Sequence, residues 1–289
     1  MLHGTGAGWR PEIAAVLDDL PGLGFREVIA EGIRPDAPPA PLVGGGDSGG
    51  GSGGDRGGDV VVHGVRLSLG DPHGVEPERI AHLAACAAAL GAPLVSEHVA
   101  FVRAGGIEAG HLLPLPRSRE ALDVLSRNVS RTRAELDVPL ALEPIATFLD
   151  WPDDEFSEPE FLLRLHERTG APLLLDVANL RANALNRGGD PRAVLDELLG
   201  RLPAEAIAYC HVAGGAEHDG LLHDTHTAPV PDAVLALLTE VVARLPAPPP
   251  VMLERDGRYP PAAETHAELD AIAAAAGHPP VTAAAEPVR

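Results

Sequence analysis

Six side chains that bind metals well sit inside or at the end of apolar runs: His63 in VVVHGV, His98 in PLVSEHVAF, Glu143 in LALEPI, Asp176 in LLLDVAN, His211 in AYCHVAG and Glu254 in VMLERD. A lone strand histidine is usually a hydrogen-bonded core residue, and a lone carboxylate is often an arginine partner. Six together are different. Carboxylates that share a buried site raise one another's pKa unless a cation intervenes. Carboxylates and imidazoles without a cysteine ligand favour Fe, Mn or Zn over Mg or Ca. The supply exceeds what one ion takes, so two or three metals are expected. After the seventh run, GLLHDTHTAPVP offers Asp224 and His226, expected to reach over the site from a loop. Asn179, three residues after Asp176, is a weak oxygen ligand or a substrate contact.

Other polar residues receive other expectations. Glu97 is adjacent to His98 and so faces the opposite way along a strand; it is expected in a structural or ligand-supporting ion pair. His223 can enter the site from its loop. His73, His82, His166, His218, His266 and His278 are expected at the surface. Arg10, Arg181 and Arg255 are candidates for gripping a peptide carboxylate, given arginine's bidentate geometry.

The elements that would position these ligands alternate strand and helix. Apolar runs of strand length occur at 2–8, 25–30, 60–69, 93–101, 139–145, 172–179, 206–214 and 251–256. Between them lie helix-like stretches, several opening with Ser or Asp and an early Glu or Pro. Eight such units predict an α/β fold, a (β/α)₈ TIM barrel, in which the strand C-terminal ends converge on one mouth. The glycines of GTGAG are expected in a tight turn rather than a phosphate-binding loop of an open sheet. One domain is expected over 1–275. Residues 35–58, rich in Pro then Gly, are expected as a flexible insertion replacing much of the second helix, and 276–289 as a disordered tail.

Bulk properties exclude some partners. Acidic residues outnumber basic ones by 42 to 22, for a net charge of −20. Such a field repels phosphate backbones, so no nucleic-acid partner is expected. No apolar run reaches membrane-spanning length and the first residues lack a secretory layout, so a cytoplasmic location and no membrane partner are expected. The two cysteines, Cys86 in a helix and Cys210 in a strand, indicate no disulfide framework.

With GTGAGWRPE, HGVRLSLG, LVSEHVAF, LEPI, LLLDVANLRANALNRGGDP, HVAGG, DTHTAPVPD and LERD in this order over residues 4–256, the chain resembles the multinuclear non-haem iron-dependent oxidative enzymes, also known as domain of unknown function 692. The resemblance implies a xylose-isomerase-like barrel holding two or three Fe ions, among them a mixed-valent Fe(II)/Fe(III) pair. It implies that His63, His98 and Glu143 bind one iron, that Glu143 bridges to a second held by Asp176, His211 and Glu254, and that Asn179, Asp224 and His226 match a third. Glu143, Asp176 and His211 are then the expected catalytic residues. The implied reaction is oxidation by O₂ of a cysteine, or another residue, in a ribosomally made precursor peptide, with a small leader-binding protein as a possible partner. The family's usual DVNN reads DVAN here. Two other functions fit the residues: a Mn- or Zn-dependent sugar isomerase or hydrolase on the same barrel, and a metal-binding protein without turnover.

Overall fold

Strand–helix alternation closes into a ring. In the computed structural model, which describes residues 2–43 and 58–283, the strands are β1 (Thr5–Gly8), β2 (Phe25–Ile29), β3 (Asp59–Gly64), β4 (Val95–His98), β5 (Phe101–Ala104), β6 (Ile107–Leu113), β7 (Leu140–Glu143), β8 (Leu173–Asp176), β9 (Ile207–His218), β10 (Leu221–Ala228) and β11 (Val251–Glu254). Eight of them pair in parallel in the order β11-β1-β2-β3-β4-β7-β8-β9, and β9 returns to pair with β11. This is a closed (β/α)₈ barrel. The remaining strands form two antiparallel additions at its mouth: the hairpin β5–β6, and β10 laid along the extended end of β9.

The outer helices are α1 (Ala14–Asp18), α2 (Pro77–Leu90), α3 (Arg119–Ala134), α4 (Glu158–Thr169), α5 (Val177–Asn186), α6 (Pro191–Arg201), α7 (Asp232–Arg244) and α8 (Ala262–Ala276). Their ends follow local chemistry. The side chains of Ser118, Ser157 and Asp190 accept backbone N–H bonds that would otherwise be unmade at the starts of α3, α4 and α6. Gly91, Gly170 and Gly277 end α2, α4 and α8 in the left-handed conformation that costs glycine least. No described helix is long and apolar enough to cross a membrane.

Inside the barrel, strand alternation builds two successive layers. Phe25, Val61, Leu94, Ala141, Leu174, Tyr209 and Met252 pack into one apolar cluster. On β1 the corresponding position is Gly6, where an added Cβ would lie 2.7 Å from the Phe25 ring; the missing side chain is the space Phe25 fills. Two residues further along each strand stand Glu27, His63, Ser96, Glu143, Asp176, His211 and Glu254, all buried. The apolar layer is a floor, and the polar layer rests on it.

Several expectations need correction. Of the glycines of GTGAG, only Gly4 turns, with φ +72° just before β1; Gly6 and Gly8 lie in the strand, where Gly6 makes room for Phe25 and Gly8 pairs with Glu27. Asp224 and His226 come from a strand, β10, rather than a free loop. Residues 44–57 of the 35–58 insertion lie outside the described residues; the described part turns back and buries Leu42. The tail expected from 276 packs for much of its length: Val281 is fully buried, its carbonyl accepts the Gly22 amide, and the Thr282 hydroxyl bonds Asp270. Residues 284–289 lie outside the described set.

Candidate metal centre

Parallel register brings ligands from separate strands to one level. His98 pairs with Glu143 across β4 and β7, and Asp176 with His211 across β8 and β9. His63 is the last residue but one of β3, and Glu254 ends β11. Two groups of potential ligand atoms result, His63–His98–Glu143 and Glu143–Asp176–His211–Glu254, each spanning no more than 4.8 Å. Glu143 belongs to both. Its Oε2 lies 3.5 Å from His63 Nε2 and 3.3 Å from His98 Nε2, while Oε1 lies 3.8 Å from His211 Nδ1. His211 Nδ1 is 3.0 Å from Glu254 Oε2.

A third group is His226, Glu254 and Asp256. His226 Nδ1 lies 2.9 Å from Asp256 Oδ2 and 3.4 Å from Glu254 Oε1, and its Nε2 lies 2.5 Å from Asp224 Oδ1. The backbone at His226 has φ +50° in an irregular stretch of β10, a conformation few side-chain-bearing residues adopt, so the chain is bent locally to turn this residue inward. Asn179 is buried on the first turn of α5, where its amide N–H bonds Asp176 Oδ1 at 2.7 Å. Thus Asp224 and His226 stand together, Asn179 stands beside Asp176, and Asp256 joins them as a residue the sequence reading missed.

The electrostatics are those of an acidic pocket that attracts cations. Burial pushes the Glu143 carboxyl up to about 8 against the pull of His98 and His211. Asp176 is pushed up to about 6, by burial and then by the charge of Asp224. Burial would lower His98, but Glu143 and Glu97 outweigh it and raise it to about 9. His63, deeper and with His98 and His211 as neighbours, falls to about 4, chiefly through burial. Burial also opposes ionisation of Glu254, yet His226 and His211 hold it well below the usual carboxylate range.

A bound metal fits this arrangement on its hydrogen-bond chemistry. Glu143 Oε2, Asp176 Oδ2 and Asn179 Oδ1 are buried without a hydrogen-bond partner. Buried polar atoms are rarely left so, and unsatisfied carboxylate oxygens on Glu143 and Asp176, which share one ligand group with His211 and Glu254, suit a metal site.

Supporting residues explain other anomalies. Glu97 faces outward from the barrel interior and is fully buried; its Oε2 accepts the Leu67 amide at 2.9 Å, and its Oε1 accepts the His98 amide at 2.8 Å. It fastens the segment after β3, and Gly64 must lack a side chain because a Cβ would meet Glu97 Oε2 at 2.8 Å. Glu27 was also missed. It is buried on β2, 3.1 Å from His211 Nε2, and its Oε2 accepts the Tyr209 hydroxyl at 2.6 Å. Two arginines expected to hold substrate are engaged internally: Arg255 is buried against Glu268 at 2.7 Å, and Arg10 is paired with Asp256.

The centre opens into a cleft of about 900 Å³. His98, Glu143, Asn179 and His226 line its base. Leu113, Phe148 and Leu149 are exposed on its walls. His223 also lines it, its ring centroid 4.6 Å from that of Phe148 and tilted to it by 46°. Arg66 and Arg79 line the cleft, whereas Arg10, Arg181 and Arg255 do not.

Similarity to known proteins agrees with this architecture. A UPF0276 protein of Streptomyces avermitilis is 50% identical over 276 residues, covering 93% of this chain but 54% of that relative, so the chain spans about half its length. A UPF0276 protein of Caulobacter vibrioides is 35% identical over 272 residues, covering 93% of this chain and 92% of the relative. Among solved structures, endonuclease IV from Thermus thermophilus aligns with a TM-score of 0.53 at 17% identity, covering 89% of this chain and 94% of the other. D-psicose 3-epimerase from Clostridium cellulolyticum aligns with a TM-score of 0.54 at 10% identity, covering 95% and 96%. At those identities the likeness is one of fold. The model of the RiPP precursor modification enzymes MbnB/TglH/ChrH matches residues 4–277, and the chain belongs to that family.

Proposed function

We propose that this protein is a multinuclear non-haem iron oxygenase that uses O₂ to oxidise a cysteine, or another residue, of a ribosomally made precursor peptide. The observation that carries the reading is Glu143: one buried carboxylate facing two ligand groups at the base of a cleft wide enough for a peptide. His63 and His98 would hold one iron and Asp176, His211 and Glu254 a second, with Glu143 between them. Asn179, Asp224 and His226, joined by Asp256, would hold a third. Iron bound there would supply the O₂ activation and electron transfer.

The chain's own residues do the rest. Glu143 and His98 give up protons to become ligands, because both hold them near neutral pH. Phe148, Leu149 and Leu113 offer apolar contact that would exclude water around a bound peptide segment. The net charge of −20 favours cations and basic peptide segments over polyanions. A small leader-binding protein is the partner this reading anticipates, and the cytoplasm is the compartment.

The test is metal content by mass spectrometry of anaerobically purified protein, with Mössbauer spectra of an iron-57 sample, followed by oxygen consumption with cysteine-containing peptides. Two or more irons per chain, with O₂ uptake that depends on the peptide, is the expected result. Tight stoichiometric Zn or Mn that iron cannot displace would overturn it in favour of an isomerase or hydrolase. Iron without O₂ uptake on any peptide would favour a metal-binding role.

A further inference from the structure

We propose that Glu27 on β2 is the common anchor that sets the ligating tautomer of both His211 and His63, through a hydrogen-bond chain that crosses the barrel beneath the two candidate metal positions. The proposal rests on the metal-centre reading above.

The chain is continuous and buried. His63 Nδ1 lies 2.8 Å from Ser96 Oγ, Ser96 Oγ lies 2.8 Å from Tyr209 Oη, Tyr209 Oη lies 2.6 Å from Glu27 Oε2, and that same oxygen lies 3.1 Å from His211 Nε2. Glu27 is in none of the candidate ligand groups. Its neighbour Arg26 is bonded to Asp18, so Glu27 has Tyr209 and His211, rather than that guanidinium, for partners.

One assignment of protons makes both histidines ligands. His211 turns Nδ1 toward Glu254 and Glu143, so a metal there takes the Nδ1 lone pair and the proton sits on Nε2, donated to Glu27. His63 turns Nε2 toward Glu143, so it ligates through Nε2 and keeps its proton on Nδ1, donated to Ser96. Each hydroxyl has one proton to give. Ser96 therefore donates to Tyr209, and Tyr209 donates to Glu27. The ionised carboxylate only accepts, so both arms end on it. Reversing the chain makes Tyr209 donate to Ser96 and Ser96 to His63 Nδ1. The His63 proton then moves to Nε2, facing Glu143, where no metal can be bound. An anion at residue 27 thus fixes the direction of the chain and, with it, both imidazoles. Metal-bound histidines commonly donate their second N–H to such an acceptor, and losing it costs about 10–100-fold in metal affinity.

The test uses Zn(II), whose complexes suit NMR, and Fe(II) under anaerobic conditions. In Zn(II)-loaded wild type, long-range proton–nitrogen spectra should place the proton on Nε2 of His211 and Nδ1 of His63. Glu27→Gln, which replaces the anion with an amide of the same size, should weaken calorimetric binding of either metal by about tenfold, at the low end of that range. This loss should shrink in a His211→Ala background, where only the His63 arm still ends on residue 27. Tyr209→Phe should leave the His211 tautomer unchanged while His63 becomes a mixture. Opposite tautomers in the loaded wild type, or Glu27→Gln binding metal within about twofold of wild type, would overturn the proposal while leaving the metal centre standing. A loss undiminished in His211→Ala would also overturn it, since Glu27 would then act on the fold at large. Wild type that takes up no metal would remove both readings together.

Discussion

The two interior layers of the barrel are built by the same strands, two residues apart, and do opposite work. Phe25, Val61, Leu94, Ala141, Leu174, Tyr209 and Met252 fill the lower level. Glu27, His63, Ser96, Glu143, Asp176, His211 and Glu254 stand above them, equally buried. The lower level gains from leaving water and holds the strands in register. The upper level puts four carboxylates where burial alone disfavours them, and histidines and hydroxyls satisfy only some of their oxygens. The comparison teaches where stability ends and function begins in this chain: the boundary is one strand repeat wide. Tyr209 straddles it, with its ring in the lower layer and its hydroxyl bonded to the upper.

Cutting the lower layer should have the largest effect. Phe25→Ala opens a cavity at a fully buried position and should cost about 3–5 kcal/mol of unfolding free energy, read by urea denaturation of the metal-free protein. Glu143→Ala should do the reverse. It should weaken binding at both ligand groups by more than the roughly 100-fold typical of a lost supporting residue, measured by metal titration. Stability of the metal-free protein should hold or rise, because an unsatisfied buried carboxyl is gone. If Glu143→Ala destabilised the metal-free protein as much as Phe25→Ala, the distinction between the layers would be lost. A smaller effect belongs to Gly6→Ala. Its Cβ would press on the face of the Phe25 ring, and such overpacking costs about 1–3 kcal/mol, visible as a lower thermal midpoint.

How much of this was legible from the residues follows the same boundary. The upper layer announced itself where a polar residue broke a plain apolar run, as His63 does in VVVHGV or Asp176 in LLLDVAN. Glu27 was hidden because Arg26 beside it makes FREVI read as a mixed strand, although Phe25 and Glu27 share a face at spacing two. Ser96 and Tyr209 carry no charge and looked like ordinary strand residues. The additions at the mouth were less legible still. Polar DTHT gives no alternation, so β10 passed for a loop, and its pairing comes from the extended end of β9 rather than from its own pattern. The β5–β6 hairpin did have a signal, since Gly105 and Gly106 sit between two short strands with the positive φ that tight hairpin turns demand. Asp256 lies in LERD beyond the end of β11, and nothing in that run marks it as standing 2.9 Å from His226 Nδ1.

The last effect expected is a pH dependence that differs between the metal-free and metal-loaded protein. Glu143 and His98 are both raised in the folded metal-free state, to about 8 and about 9. A raised group contributes stability below its unfolded pKa and loses that contribution as pH rises through the folded value. For His98 the window runs from about 6.5 to 9, and for Glu143 it ends near 8, so the two act in the same direction above neutrality. His63, lowered to about 4, is neutral in the folded state and offsets them only near pH 6.5, where its unfolded form still holds part of a proton. The metal-free protein should therefore lose thermal midpoint between about pH 6.5 and 9, where the His98 shift alone corresponds to roughly 3 kcal/mol. Metal loading removes both protons at the outset, so the loaded protein should not show this loss, and the gap between the two forms should widen with pH. Scanning calorimetry on the two forms reads this directly. A gap that narrows as pH rises would mean that the protons of the upper layer are not those displaced by metal.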